Sequence, residues 1–158
     1  MGSPEDRAHS YRRFLDAHAH TMNAQILYYY CRRDVEAACG IGQRRARARL
    51  IELRDQAWGY YTQTQHEGHA ALLGMRLCAP LPVLVAAEEL STALPRFYDP
   101  DTRKTLPVDD YQDALDQCTA AKWKFLDAAR HDLSYNPRPW QLLRKWRERK
   151  HREAAAQA

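Results

Sequence analysis

Apolar and half-apolar residues recur every three or four positions through most of the chain, the period of an amphipathic helix. Near the amino terminus Ala8, Tyr11, Leu15, His18, Met22, Ile26 and Tyr30 mark one face of a helix of about 27 residues. Ser3-Pro4-Glu5-Asp6 supplies its start: a hydroxyl cap, a proline at the first helical position and acids at the positive end of the dipole. Asp34 reads as the next cap, and Val35 to Cys39 as a short helix closed by Gly40. The spacing resumes from Gln43 through Ala46, Leu50, Leu53, Ala57 and Tyr61. It predicts a second long helix that weakens near Gly68 or Gly74 and is stopped by Pro80 and Pro82.

Val83 to Leu94 gives a third segment, ended by Pro95. A fourth helix starts at Asp109 or Asp110 and aligns Tyr111, Ala114, Leu115, Cys118, Ala121, Phe125 and Ala129 on one face. Ser134-Tyr135-Asn136-Pro137-Arg138-Pro139 interrupts it, and a last helix runs from about Pro139 towards the alanine-rich end. Between the third and fourth segments, Asp99-Pro100-Asp101-Thr102 is a turn signature that predicts a small hairpin or an irregular loop. No internal repeat and no set of strands emerges. The expected fold is all-α, a bundle of about five helices with two long N-terminal ones and a short irregular or hairpin insertion near 95–107. Residues 1–134 then form the bundle, with the helix-turn-helix-like segment 34–54 inside it, and 135–158 a linker and basic C-terminal helix.

Composition agrees with a globular chain: 158 residues, 45% hydrophobic and 10% aromatic, which argues against wholesale disorder. A chain of this size buries roughly 70% of its unfolded surface, so no metal or disulfide staple is required. No apolar run approaches the roughly 20 residues of a membrane span. Met1 to Asp6 lacks the pattern of a secretory signal, and Asp6 stands where a myristoylation motif needs Ser or Thr. The expected setting is the cytoplasm, with no membrane partner. Cys31, Cys39, Cys78 and Cys118 contain no Cys-x-x-Cys pair and read as reduced thiols, most of them buried as small apolar groups.

The net charge of +4 conceals segregation. Residues 32–54 hold seven bases against three acids and residues 119–158 ten against four, whereas residues 84–118 hold eight acids against three bases. Such blocks are either solvated helix faces or the contacts of a polyanion partner.

Asp34-Val35-Glu36-Ala37-Ala38-Cys39-Gly40-Ile41-Gly42-Gln43-Arg44-Arg45-Ala46-Arg47-Ala48-Arg49-Leu50 resembles the helix-turn-helix of LacI-type DNA-binding regulators. Val35, Cys39, Gly40 and Ile41 occupy matching positions. The resemblance implies that Gln43, Arg44, Arg45, Arg47 and Arg49 lie on or beside a recognition helix, where arginine pairs with guanine edges or phosphates. Glu36, Ala46 and Arg49 depart from the pattern: the family has a small residue, a branched apolar residue and a buried residue at those positions. The alternative is that Gly40-Ile41-Gly42 simply closes a helix and joins two antiparallel ones.

In the carboxyl-terminal segment Trp140, Leu143 and Trp146 form an apolar stripe, and Arg144, Lys145, Arg147, Arg149, Lys150 and Arg152 crowd the remainder. Such a helix docks by its tryptophans and presents its basic end to phosphates, or packs as a solvated terminal helix.

His66-Glu67-Gly68-His69 places two histidines three apart on one helix face, a candidate metal site that His18 or His20 could complete. No serine sits in a nucleophile elbow, and neither a dinucleotide nor a Walker loop exists. No cofactor is expected, and nothing in the sequence argues for an enzyme.

These features favour a nucleic-acid-binding protein, with DNA ahead of RNA as its partner. It would act as a dimerising regulator or as a small oligomeric subunit of a nucleoprotein complex of the phage-packaging or RNA-guided type. The alternatives are a protein–protein adaptor using Tyr28, Tyr29, Tyr30, Trp58, Tyr60 and Tyr61, and a metal-binding bundle.

Overall fold

The hydroxyl cap expected at the amino terminus forms, and it does so as one half of a capping box. In the computed structural model, which describes residues 3–38 and 44–133, the Asp6 N–H donates to Ser3 Oγ at 3.1 Å and the Ser3 N–H donates to the Asp6 carboxylate at 3.0 Å. Helix α1 that follows spans Pro4–Ala37, 34 residues. The break expected at Asp34 is absent, because the last turn of α1 is held from outside. Val35 is buried, and Glu36 accepts from the Thr105 hydroxyl at 2.7 Å. The separate short helix Val35–Cys39 is therefore, over Val35–Ala37, the end of α1. Residues Cys39 to Gln43 lie outside the described residues.

Helix α2 spans Arg44–Cys78 and passes through Gly68 and Gly74 without a break. Pro80 both ends α2 and stands as the N-cap of α3, Leu81–Thr92, with Pro82 in a first turn that needs no N–H donor. Helix α4 spans Val108–Asp132; Asp109 and Asp110 lie in its first turn, not at the cap, and Arg130 and His131 in its last, each sign matching the dipole. The described residues hold these four helices and no strand longer than an isolated bridge. The fifth helix expected from Pro139 lies outside them.

Between α3 and α4, where the Asp99 turn signature predicts a small hairpin or an irregular loop, the chain makes a small hairpin. Tyr98 and Thr105 form an antiparallel bridge, and the Asp99 N–H donates to the Lys104 carbonyl at 2.9 Å. Asp99 organises the turn, its carboxylate accepting from the Asp101 N–H and the Thr102 hydroxyl. Arg103 takes the left-handed conformation, φ 54°. Its carbonyl accepts from Arg32, which with the Glu36–Thr105 bonds pins the hairpin to the end of α1.

Helices α1 and α2 pack antiparallel along their lengths. Facing residue numbers add to 85 or 86: Thr21 Oγ1 donates to the Thr64 carbonyl at 2.9 Å, and the Tyr28 and Trp58 rings lie 5.0 Å apart. Tyr11, Phe14, His18, Thr21 and Gln25 on α1, and Ala57, Tyr61, Thr64, Ala71 and Met75 on α2, are buried at alternating steps of three and four, with Gly68 completing the α2 series. That alternation is the seam of knobs-into-holes packing. Helix α4 covers α1 antiparallel to it: Phe125 packs edge-on to Phe14 at 5.2 Å, and Tyr111 stacks on Tyr29 at 3.8 Å. At the far end Arg7 and Tyr11 both donate to Asp132 Oδ2, at 2.9 and 2.7 Å. Val83, Ala86, Ala87 and Leu90 of α3 complete the main core.

Candidate functional site

Four arginines open α2. Arg44, Arg45, Arg47 and Arg49 are all exposed, and none has an ion-pair partner among the described residues. Continuing the α1–α2 register places the last residue of α1, Ala37, opposite about position 49 of α2. The turn carrying Arg44, Arg45 and Arg47 therefore projects beyond α1. The first turn of α2 holds no acid. Three of the four, Arg44, Arg45 and Arg47, thus stand in the first turn, where the helix dipole presents its positive end, an arrangement that costs stability in water and favours an anion nearby. Further along, Arg54 is drawn to its neighbour Asp55, at 2.6 Å.

The other predicted contacts divide sharply. Gln43 lies outside the described residues, as do Arg144, Lys145, Arg147, Arg149, Lys150 and Arg152 and the tryptophans Trp140 and Trp146. Ala46 and Leu53, expected on the packed face of α2, are exposed, whereas Ala57 and Tyr61 are buried as expected.

The histidines do not all converge on one site. His66 and His69 are both exposed. His69 lines a cavity of about 260 Å³ together with buried His18, while His20 lines a different groove with His9, Arg12, Arg13, Asp16 and Glu67. Among the described residues no group of three or more His, Cys, Asp or Glu side chains is placed to hold a metal ion. His18 is 5% exposed, and burial lowers its pKa to about 4. Its Nε2 lies 3.8 Å from Cys118 Sγ.

Cys31, Cys78 and Cys118 are free thiols, but only Cys118 is fully buried, where burial pushes its pKa up; Cys31 and Cys78 are half-buried. The tyrosine triplet divides as helical geometry requires. Tyr29 is buried and donates to the Leu106 carbonyl at 2.9 Å. Tyr28 packs among Trp58, Tyr61 and Phe97, and Tyr30 is exposed.

Sequence reasoning missed the cavity. Its lining comes from three separate stretches, Phe14 to Thr21 on α1, Tyr61 to His69 on α2, and Ser91 to Tyr98 at and after the end of α3. No linear motif encodes such a meeting. Compared with known proteins, the chain matches no family model, and no curated protein and no solved structure resembles it.

Proposed function

We propose that this protein binds nucleic acid through the arginine-rich start of α2, with the basic residues of 138–152 as a second contact. One observation carries the reading: Arg44, Arg45, Arg47 and Arg49 are exposed and unpaired among the described residues, and the first three lie in the first turn of α2, at the positive end of the helix dipole. A helix start that served only solubility would carry acids there, as the first turn of α4 does. The mechanism is non-covalent: the guanidinium groups neutralise phosphates and release counterions, so affinity falls steeply with salt.

This reading does not depend on the helix-turn-helix resemblance. In it the arginines approach the backbone from a projecting helix end, as those of a regulator or of a subunit of a nucleoprotein complex would, with DNA ahead of RNA. The triple variant Arg44→Ala/Arg45→Ala/Arg47→Ala tests it. Binding to mixed-sequence duplex DNA at low salt is expected to weaken by tenfold or more, since each charge-assisted contact contributes about 1 kcal/mol or more. Unchanged affinity for both duplex DNA and single-stranded RNA would remove the arginines from the function.

A second reading, a protein adaptor, draws support from Tyr30, Trp58 and Tyr60, which are 47, 44 and 47% exposed. Retention of oligomeric or partner binding in the arginine variant, with no polyanion affinity in the parent chain, would favour it.

A further inference from the structure

The cavity beside His18 has a chemistry of its own, apart from the arginine helix end. Its walls are aromatic: Phe14, Tyr61, Phe97 and Tyr98. The Tyr61 and Phe97 rings meet nearly perpendicular, at 89°, with centroids 5.9 Å apart. This corner is braced from behind. Tyr28 packs against both rings, and Gln25 donates to the carbonyl of Pro95, another lining residue. At about 260 Å³ the space lies just below the range for drug-sized ligand sites, roughly 300–1,000 Å³, and so suits a small ligand.

The polar lining has one sign. Although the chain carries 20 acids, none lines this cavity, whereas Arg96 and His69 do. Most of the other polar groups are already committed. Thr21 Oγ1 bonds to the Ala17 and Thr64 carbonyls, and Gln65 Nε2 donates to Tyr61 Oη at 2.7 Å. Ser91, His69 and Arg96 have no hydrogen-bond or ion-pair partner among the described residues. Unspent donors and one cation on an apolar, aromatic pocket are the requirements for an amphipathic anion with a flat apolar body.

We propose that this cavity binds a small planar aromatic carboxylate, its ring against Tyr61, Phe97 and Phe14 and its carboxylate paired with Arg96, with Ser91 and His69 as further donors. An exposed arginine such as Arg96 can supply a bidentate grip on a carboxylate, which a phenol or an amine cannot accept in the same way. The apolar walls supply the area and the arginine sets the sign.

The experiment titrates the full chain with 2-naphthoate, and with 2-naphthylmethanol and 2-naphthylmethylammonium as neutral and cationic counterparts, by calorimetry and by amide chemical shifts. The carboxylate is expected to bind at least about tenfold more tightly than either counterpart, with shifts at Ser91, Arg96 and Phe97. Arg96→Glu, a surface change outside the core, is expected to weaken it by about tenfold or more, and Arg96→Lys to restore part of the loss. Ser91→Phe, which fills the space, is expected to abolish binding. Equal affinity for the three ligands, full affinity in Arg96→Glu, or no carboxylate binding at millimolar concentration would each overturn the proposal. None of these outcomes bears on polyanion binding by α2, whose arginines the three variants leave intact.

Discussion

His18 sits inside the bundle between Phe14 and Cys118, where the Leu90 backbone favours its charged form without offsetting burial. Burial is the largest influence on it, with nearby Lys122 acting in the same direction, and its pKa falls from 6.5 to about 4. The unfolded chain takes up this proton below about pH 6.5, whereas the folded chain resists until about pH 4. Stability is therefore full above the unfolded value and is lost as pH drops between the two, by on the order of 3 kcal/mol in all. Glu36, where burial acts upward but is outweighed by hydrogen bonds from Thr105 and Arg32, and Asp6 and Asp99, whose carboxyls hydrogen bonds hold low, release their share only below about pH 4.5. Urea midpoints between pH 7.5 and 4.5 should fall in the parent chain. In His18→Asn they should be lower at pH 7.5 but nearly level across that range; an undiminished slope in the variant would contradict the assignment. Tyr111 offers the opposite case. Its hydroxyl is buried with no hydrogen-bond partner among the described residues, although its ring stacks on Tyr29. Removing an unsatisfied polar atom while keeping the ring leaves stability unchanged or raises it, by up to about 1 kcal/mol. Tyr111→Phe should show this in chemical denaturation, and a clear loss would mean that the hydroxyl has a partner.

The helices show why parts of this fold were legible in the sequence and others were not. On α4 the apolar face read from spacing is the one that packs: Tyr111, Cys118, Ala121, Phe125 and Ala129 are all buried. On α1 the spacing drifts away from the true seam. Leu15, Met22 and Ile26 only flank the core, whereas Thr21 and Gln25 lie inside it. Hydrophobicity cannot flag those two, because their burial depends on carbonyls supplied by Thr64 and Pro95, far away in the chain. The Asp34 break failed for a related reason, since the final turn of α1 is held by the hairpin through Glu36. Helix α2 carries a prediction that sets function against stability. Cations at its start oppose the dipole, so Arg44→Glu/Arg45→Glu should stabilise the fold by about 0.3–1 kcal/mol while weakening polyanion binding. Thermal melts and binding assays on that one protein check both halves. A loss of stability would indicate that the arginines are engaged by groups of the protein itself.

At the scale of the molecule, an antiparallel α1–α2 hairpin is braced on one side by α3, α4 and the 97–106 turn, and its arginine end projects past α1. Among the described residues no helix is long and apolar enough to cross a membrane. The basic block of 32–54 was visible in the sequence. Its placement was not, because whether an arginine projects or pairs depends on where the neighbouring helix ends. The cavity was invisible for the same kind of reason, its lining being assembled from three stretches. The measurement that tests the central claim most directly is the affinity of the full chain for mixed-sequence duplex DNA as a function of salt, beside the Arg44→Ala/Arg45→Ala/Arg47→Ala variant. Log affinity is expected to fall linearly with log salt, with a slope shallower in the variant by roughly 0.9 for each phosphate that it no longer neutralises. A salt-independent affinity, or identical slopes in the two proteins, would contradict the claim.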